Sequence, residues 1–153
     1  MFIYSKIWKN HFNNFKYNIF CRSLIIFLSF YAQSATIVVT SNLDSGAGSL
    51  RDSISNANSG DIIRFSPILI SSGSDSVVLN SSISFSKSIK IVGLYTNTDT
   101  LFISGGGSNR IFSIDSTTNV YLDSLVLING YSTGNGGAIS LTESDSLFVS
   151  NSV

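Results

Sequence analysis

Glu143 and Asp145 stand two residues apart, a spacing that puts both carboxylates on one side of an extended chain. Such a pair can hold a hard cation or serve as acid and base on a sugar. The stretch around them is polar, so solvated surface charge is the simpler expectation. Gly105-Gly106-Gly107-Ser108-Asn109 has the small residues of a phosphate or calcium loop, yet it lacks the Lys of the first and the repeated Asp of the second. It is expected to be a plain turn. Tyr95, Tyr121 and Tyr131 are the remaining candidates, as rings on which carbohydrate could stack, although strand alternation sends some of them to the core.

Nucleophilic and soft-metal chemistry fall away for want of side chains. The single His (His11), single Cys (Cys21) and single Trp (Trp8) all lie within the first 34 residues. Without an imidazole or thiol in the rest, no Ser-His-Asp or Cys-His arrangement can form, and no zinc or copper site can be built from His and Cys. Disulfides are excluded too, so packing and backbone pairing must hold the fold. No catalytic, cofactor or metal residue is assigned.

Those first 34 residues carry Lys6, Lys9, Lys16 and Arg22 and no carboxylate. Behind them comes Leu24-Ile25-Ile26-Phe27-Leu28-Ser29-Phe30-Tyr31, well short of the ~20 apolar residues of a membrane span, and then Ala32-Gln33-Ser34 with small residues where a peptidase requires them. Residues 1–34 are therefore expected to be an export signal cleaved after Ser34. The remaining 119 residues suffice for one modest domain, which buries about two-thirds of its unfolded surface. They hold Arg51, Arg64, Lys87, Lys90 and Arg110 against all nine carboxylates, a formal balance of −4 with no basic stripe. Such a surface repels phosphate backbones, so nucleic acid is not an expected partner.

The elements that position these residues follow from periodicity. Thr36–Thr40 is β-branched and predicts a strand, ended by the turn-rich Asn42–Gly48. Ser49 is a good N-cap, Asp52 stands in the capping-box position, and Leu50, Ile54 and Ala57 make one apolar stripe, predicting a helix over Ser49–Asn58 with Gly60 beyond it. From Asp61 onward the helical period vanishes. Short apolar runs predict strands at Ile62–Phe65, Val77–Leu79, Ile83–Phe85, Ile89–Ile91, Leu101–Ile103, Ile111–Ile114, Val120–Leu122, Leu125–Leu127 and Leu147–Val149.

Three of these runs align as Ile89-x-Ile91-x-x-Leu94, Val120-x-Leu122-x-x-Leu125 and Leu147-x-Val149-x-x-Ser152. Units of roughly 20–30 residues with several short strands suit one coil of a solenoid, and Asn129-Gly130 is the lone two-residue hairpin candidate, which disfavours a meander. The expected fold is all-β, a right-handed parallel β-helix. Residues 35–60 would form its N-terminal cap of strand and helix, with Leu50, Ile54 and Ala57 on the first coil, and residues 61–153 its coils. Stopping just after a strand at Asn151-Ser152-Val153, the chain is expected to be the start of a longer protein or a truncated product.

Two motifs add a family likeness. Thr40-x-x-x-Asp44-Ser45-Gly46-x-Gly48-Ser49-Leu50-Arg51-x-x-Ile54, followed by Gly60-Asp61-x-Ile63-x-Phe65, resembles the opening of bacterial secreted right-handed parallel β-helix proteins of the pectate-lyase-like superfamily. Gly136-Gly137-Ala138-Ile139 with Phe148-Val149-Ser150-Asn151 is similar to the paired repeats of the polymorphic outer-membrane protein family. In physical terms Gly136 and Gly137 allow a sharp turn at positive φ, Ala138 and Ile139 return inward, and Asn151 is expected to stack on asparagines of adjacent coils.

The resemblance implies an exported, non-catalytic β-helix module of a cell-surface or secreted adhesin-like protein, with surface glycans or proteins of a host or neighbouring cell as partners. Location at the cell outer membrane or cell surface is implied with it, and membrane association only through a C-terminal part that this chain lacks. The alternative it implies is the N-terminal part of a polysaccharide lyase or hydrolase, which would pair calcium-binding acids with an arginine base. Arg110 and Asp115 invite that comparison, but Asp99, Asp115 and Asp123 sit in separate turns.

Overall fold

The computed structural model describes residues 33–115, 118–142 and 146–153. The basic and apolar segments of the leader, with Trp8, His11 and Cys21, and the pair Glu143 and Asp145 lie outside the described residues.

Strands β1 (Thr36–Val39), β2 (Ile62–Phe65), β3 (Asp75–Val78), β4 (Ile83–Phe85), β5 (Lys90–Val92) and β6 (Leu101–Ser104) lead into β7 (Phe112–Ile114), β8 (Asn119–Asp123), β9 (Val126–Ile128), β10 (Ile139–Leu141) and β11 (Ser146–Ser150). One helix, α1 (Leu50–Asn56), follows β1. The strands stack as three sheets, in the orders β1-β2-β5-β8-β11, β3-β6-β9 and β4-β7-β10. Every pairing between named strands is parallel. The result is a parallel β-solenoid of about four turns, so the expected β-helix is the fold.

Alternation within these short strands builds the core. Ile63, Ile91 and Leu122 occupy one register column, each no more than 1 % exposed, and Val77, Ile103 and Leu127 another in the second sheet. In the third sheet Ile83 lies over Phe112 and Phe85 over Ile114, with Phe85 and Phe112 meeting edge to face at 6.1 Å. Burying one such side chain contributes about 1.5–3 kcal/mol before entropy, so the column rather than any single coil holds the chain together. The triplet alignment expected from the sequence is the observed register, with Ile91 over Leu122 and Leu147 over Val120. Two elements lie outside the expectation: β10, and the 3-10 turn Pro67–Ile70 that buries Ile70.

The first coil is covered as expected. Ser49 Oγ accepts the Asp52 N–H at 3.1 Å, and Leu50, Ile54 and Ala57 are buried with Val39. A seven-residue helix does not persist alone, so its stability comes from this face. Asp52 departs from the capping box by reaching the Gly48 N–H at 3.2 Å, because the Ser49 N–H already donates to the Gly46 carbonyl. Two cations fasten the helix to the coils. Lys87 Nζ donates to the Ile54 and Ser55 carbonyls at the end of α1, and Arg51 donates to the Ser81 and Ser82 carbonyls while pairing with Asp44. Buried Asp61 ties both ends of the cap to the first coil, accepting the Ala35 and Asn58 N–H groups at 2.8 Å each.

Successive turns approach so closely that several glycine positions, Gly93 among them, leave no room for a side chain. Gly93 precedes Leu94 over the turn at Ser124, and a Cβ there would lie 1.8 Å from the Ser124 carbonyl oxygen. Gly93→Val is expected to lower the unfolding free energy by at least about 3 kcal/mol in urea denaturation, beyond ordinary overpacking. Gly134→Ala, with nothing within 4 Å of the new carbon and an ordinary φ, is expected to stabilise by about 0.4–1 kcal/mol.

Candidate functional site

The five-stranded sheet offers the broadest outward surface, and its side chains form two columns along the stack. One runs Ile62, Lys90, Tyr121, Phe148; the other runs Arg64, Val92, Asp123, Ser150. Alternation puts them outside because Ile63, Ile91 and Leu122, the residues between, point inward.

Asp123 is the hub of this face. Its Oδ1 accepts Ser124 Oγ at 3.2 Å, Ser150 Oγ at 3.0 Å and Asn151 Nδ2 at 3.1 Å, and its Oδ2 meets Lys90 Nζ at 3.1 Å. One carboxylate therefore joins three consecutive coils. The Asn151 amide, then Lys90 and Ser150, hold its pKa down to about 2, against an ordinary value of 3.8. Asp61 is shifted the same way, by the Asn58 and then the Ala35 N–H.

Tyr121 and Phe148 stack at 4.6 Å between centroids and 9° between planes. Their faces are turned along the solenoid axis, toward each other, so it is mainly the ring edges that look outward. A sugar stacks on a face, and the Tyr121 face toward the next coil is already covered by Phe148. Tyr95 and Tyr131 are exposed at 60 % and 51 % but stand in turns, not in this column. The structure therefore does not gather the three tyrosines into one platform.

Arg110 and Asp115 are not brought together either. They flank β7, and each reaches the following coil separately: Arg110 Nε donates to the Gly136 carbonyl at 2.7 Å, and its Nη2 to the Asn135 carbonyl and Ser132 Oγ. Asp115 Oδ1 accepts Thr142 Oγ1 at 3.1 Å. Arg110 thus clamps the 132–136 loop. That loop leads into Gly136-Gly137-Ala138-Ile139, where Gly136 alone has positive φ (72°), Gly137 abuts the Gly130 carbonyl, and Ile139 starts β10 over Phe112. Ala138 and Ile139 are half-buried against the core. Gly105, Gly106 and Gly107 form a turn, with Gly105 donating to the Ile128 carbonyl.

Asn151 lies in the left-handed region at φ 51°, as does Ser124, the residue beneath it. Gly93 occupies the same place one coil earlier, so the expected asparagine ladder is instead a Gly, Ser, Asn series. Asn151 binds the Asp123 carboxylate rather than an asparagine.

Two further depressions lie on the described surface. One, of about 350 Å3, is lined by Thr40, Asn42, Ser72, Ser74 and Asp75, where Asn42 Nδ2 closes onto Asp75 Oδ2 at 2.7 Å. The other, at the far end of the stack, is apolar. Among the described residues no three His, Cys, Asp or Glu side chains converge as metal ligands.

A depressed carboxylate pKa adds stability at pH above the unfolded value, and that stability is lost as pH falls. The Asp123 contribution is expected to be complete above about pH 4 and to disappear as pH drops toward 2. Urea midpoints measured from pH 5 to pH 2 should fall, and Asp123→Asn should be less stable at pH 5 and show a shallower decline. An unchanged slope in the variant contradicts the assignment. Neither a family model nor a curated protein matches the chain, so its family likeness rests on the two motifs above.

Proposed function

We propose that this chain is a non-catalytic β-helix module of an exported, cell-surface or secreted adhesin-like protein, related to the pectate-lyase-like β-helices and nearest in its repeats to the polymorphic outer-membrane proteins. The observation that carries this reading is the placement of charge. Arg51, Lys87, Lys90 and Arg110 all hold one coil or the cap to another, as do Asp61 and Asp123, while Asp44 pairs with Arg51 inside the cap. Arg64 is exposed and without an ion pair among the described residues, and Asp52 and Asp99 bind only within the cap and their own turn. Charges held this way stiffen a scaffold and are not free for proton transfer. A rigid stack with a hydroxyl-rich exterior, such as the outward row Ser84, Ser113 and Ser140, suits many weak contacts with surface glycans or proteins of neighbouring cells.

Export and adhesion are tested separately. Protein recovered outside the cytoplasm is expected to begin at Ala35 on N-terminal sequencing, and retention of the uncleaved chain inside contradicts export. Purified protein is expected to bind cell surfaces or immobilised glycans and to leave acidic polysaccharides intact. Release of unsaturated or reducing sugar ends would instead support the lyase or hydrolase alternative.

A further inference from the structure

The depression of about 350 Å3 opens between the loop that leaves β1 and the turns that join β2 to β3. Its volume falls within the range of small-molecule sites, about 300–1,000 Å3. Backbone pairing fixes the walls. The Thr40 and Ser41 N–H groups both donate to the Gly48 carbonyl, and the Ser71 N–H and Oγ close the Pro67–Ile70 turn on the Ile68 carbonyl. Ser74 and Asp75 are tied to the next coil, Ser74 Oγ accepting the Thr100 N–H at 3.0 Å and Asp75 donating its own N–H to the Thr100 carbonyl at 3.2 Å. A ligand entering this cleft has little to order.

The side chains around it hold polar atoms that the fold leaves unused. Asp75 Oδ1 accepts the Ser76 N–H and its Oδ2 the Asn42 amide, both at 2.7 Å, so a fixed carboxylate stands beside a fixed carboxamide. Each carboxylate oxygen keeps accepting capacity, and the Asn42 oxygen has no partner among the described residues. Nor do the hydroxyls of Thr40 and Ser72, while Ser74 Oγ retains a proton to donate. Ile68, 67 % exposed, adds an aliphatic surface to the same lining. Vicinal hydroxyls of a sugar ring each donate and accept, which a carboxylate and a carboxamide side by side satisfy together, and ring C–H groups suit the aliphatic patch.

Charge narrows the occupant. Asp75 is the only ionisable side chain in the lining, and Asp99 Oδ1 lies 3.8 Å from where a Gly73 Cβ would stand. No Lys or Arg lines the cleft, so phosphate, sulfate and uronate groups meet uncompensated repulsion. A calcium ion takes six to eight oxygens, usually several of them carboxylate, and no three acids converge among the described residues. We propose that the cleft is a subsite for one neutral pyranose unit of a glycan, with Asp75 and Asn42 sharing a pair of adjacent hydroxyls and Ile68 against the ring C–H groups. The assignment rests on the glycan-binding reading above and narrows it to one cleft and to uncharged units. A single site of this kind binds weakly, with a dissociation constant on the order of 1 mM, and strengthens when several copies meet one surface.

The test is a titration of the 15N-labelled full chain with methyl glycosides of glucose, galactose, mannose, N-acetylglucosamine and galacturonic acid. At least one neutral glycoside is expected to shift the amide resonances of Asn42, Ser72, Gly73 and Ser74, and the galacturonoside to bind on the order of tenfold more weakly. Asn42→Ala is expected to weaken the neutral sugar about tenfold and Ile68→Ser about fivefold, both with a native circular dichroism spectrum because the two positions are exposed. Gly134→Ala, outside the cleft, should leave binding unchanged. Affinity that survives both cleft variants, shifts confined to other segments, or equal affinity for the galacturonoside overturns the subsite while adhesion to immobilised glycans still stands. Absence of glycoside shifts together with absence of adhesion to immobilised glycans removes both the subsite and the reading beneath it.

Discussion

Each inward aliphatic side chain must sit over the equivalent one in the preceding coil, at the ~4.8 Å spacing of paired strands, and most of the structure follows from that condition. Strands of three to five residues cannot stand alone, so coils are stable only as neighbours of other coils. The condition explains why Gly93 has no side chain, since the turn above it comes within van der Waals contact. It also explains the cap. A first coil with Ile63 and Val39 facing solvent would leave open the column that buries every later coil, and α1 closes it.

Polar side chains act as staples between layers that the aliphatics have already stacked. Asp123, Arg110, Lys87, Arg51 and Asp61 each bind groups 22 to 33 residues away in sequence but adjacent in the stack. Exposed charge pairs add little singly, so the value of these contacts lies in fixing register at the turns, where the backbone is freest. The same geometry shapes the functional reading, because a carboxylate held by three hydrogen bonds and an ammonium is poorly placed to act as a base.

Much of the architecture was legible in the sequence. Alternation marked β2 and β4 to the residue, and the Ser49 cap with the Leu50, Ile54, Ala57 stripe marked α1. Boundaries drifted where hydrophobicity and backbone pairing part company: Ile89, Ile111 and Leu125 are buried at coil corners just outside β5, β7 and β9, which pull in Val92 and Ile128 instead. β10 escaped because Gly136-Gly137-Ala138 looks like a turn and leaves only Ile139-Ser140-Leu141 to signal a strand. The outer face was not legible at all from single positions. Asp123, Lys90 and Asn151 meet only once coils are written beneath one another in register, and the aligned triplets contained that signal: Asp123 follows Leu122 directly, as Ser150 follows Val149.

Parallel in-register stacking can be tested with the outward serine row of the third sheet, in a Cys21→Ser background. Ser84 and Ser113 are direct neighbours across β4 and β7, while Ser84 and Ser140 are two coils apart. Cysteines at Ser84 and Ser113 should lie ~4.8 Å apart at Cα and form a disulfide under mild oxidation, whereas cysteines at Ser84 and Ser140, at ~9.6 Å, should not. A bond in the second pair, or in neither, would contradict the stack.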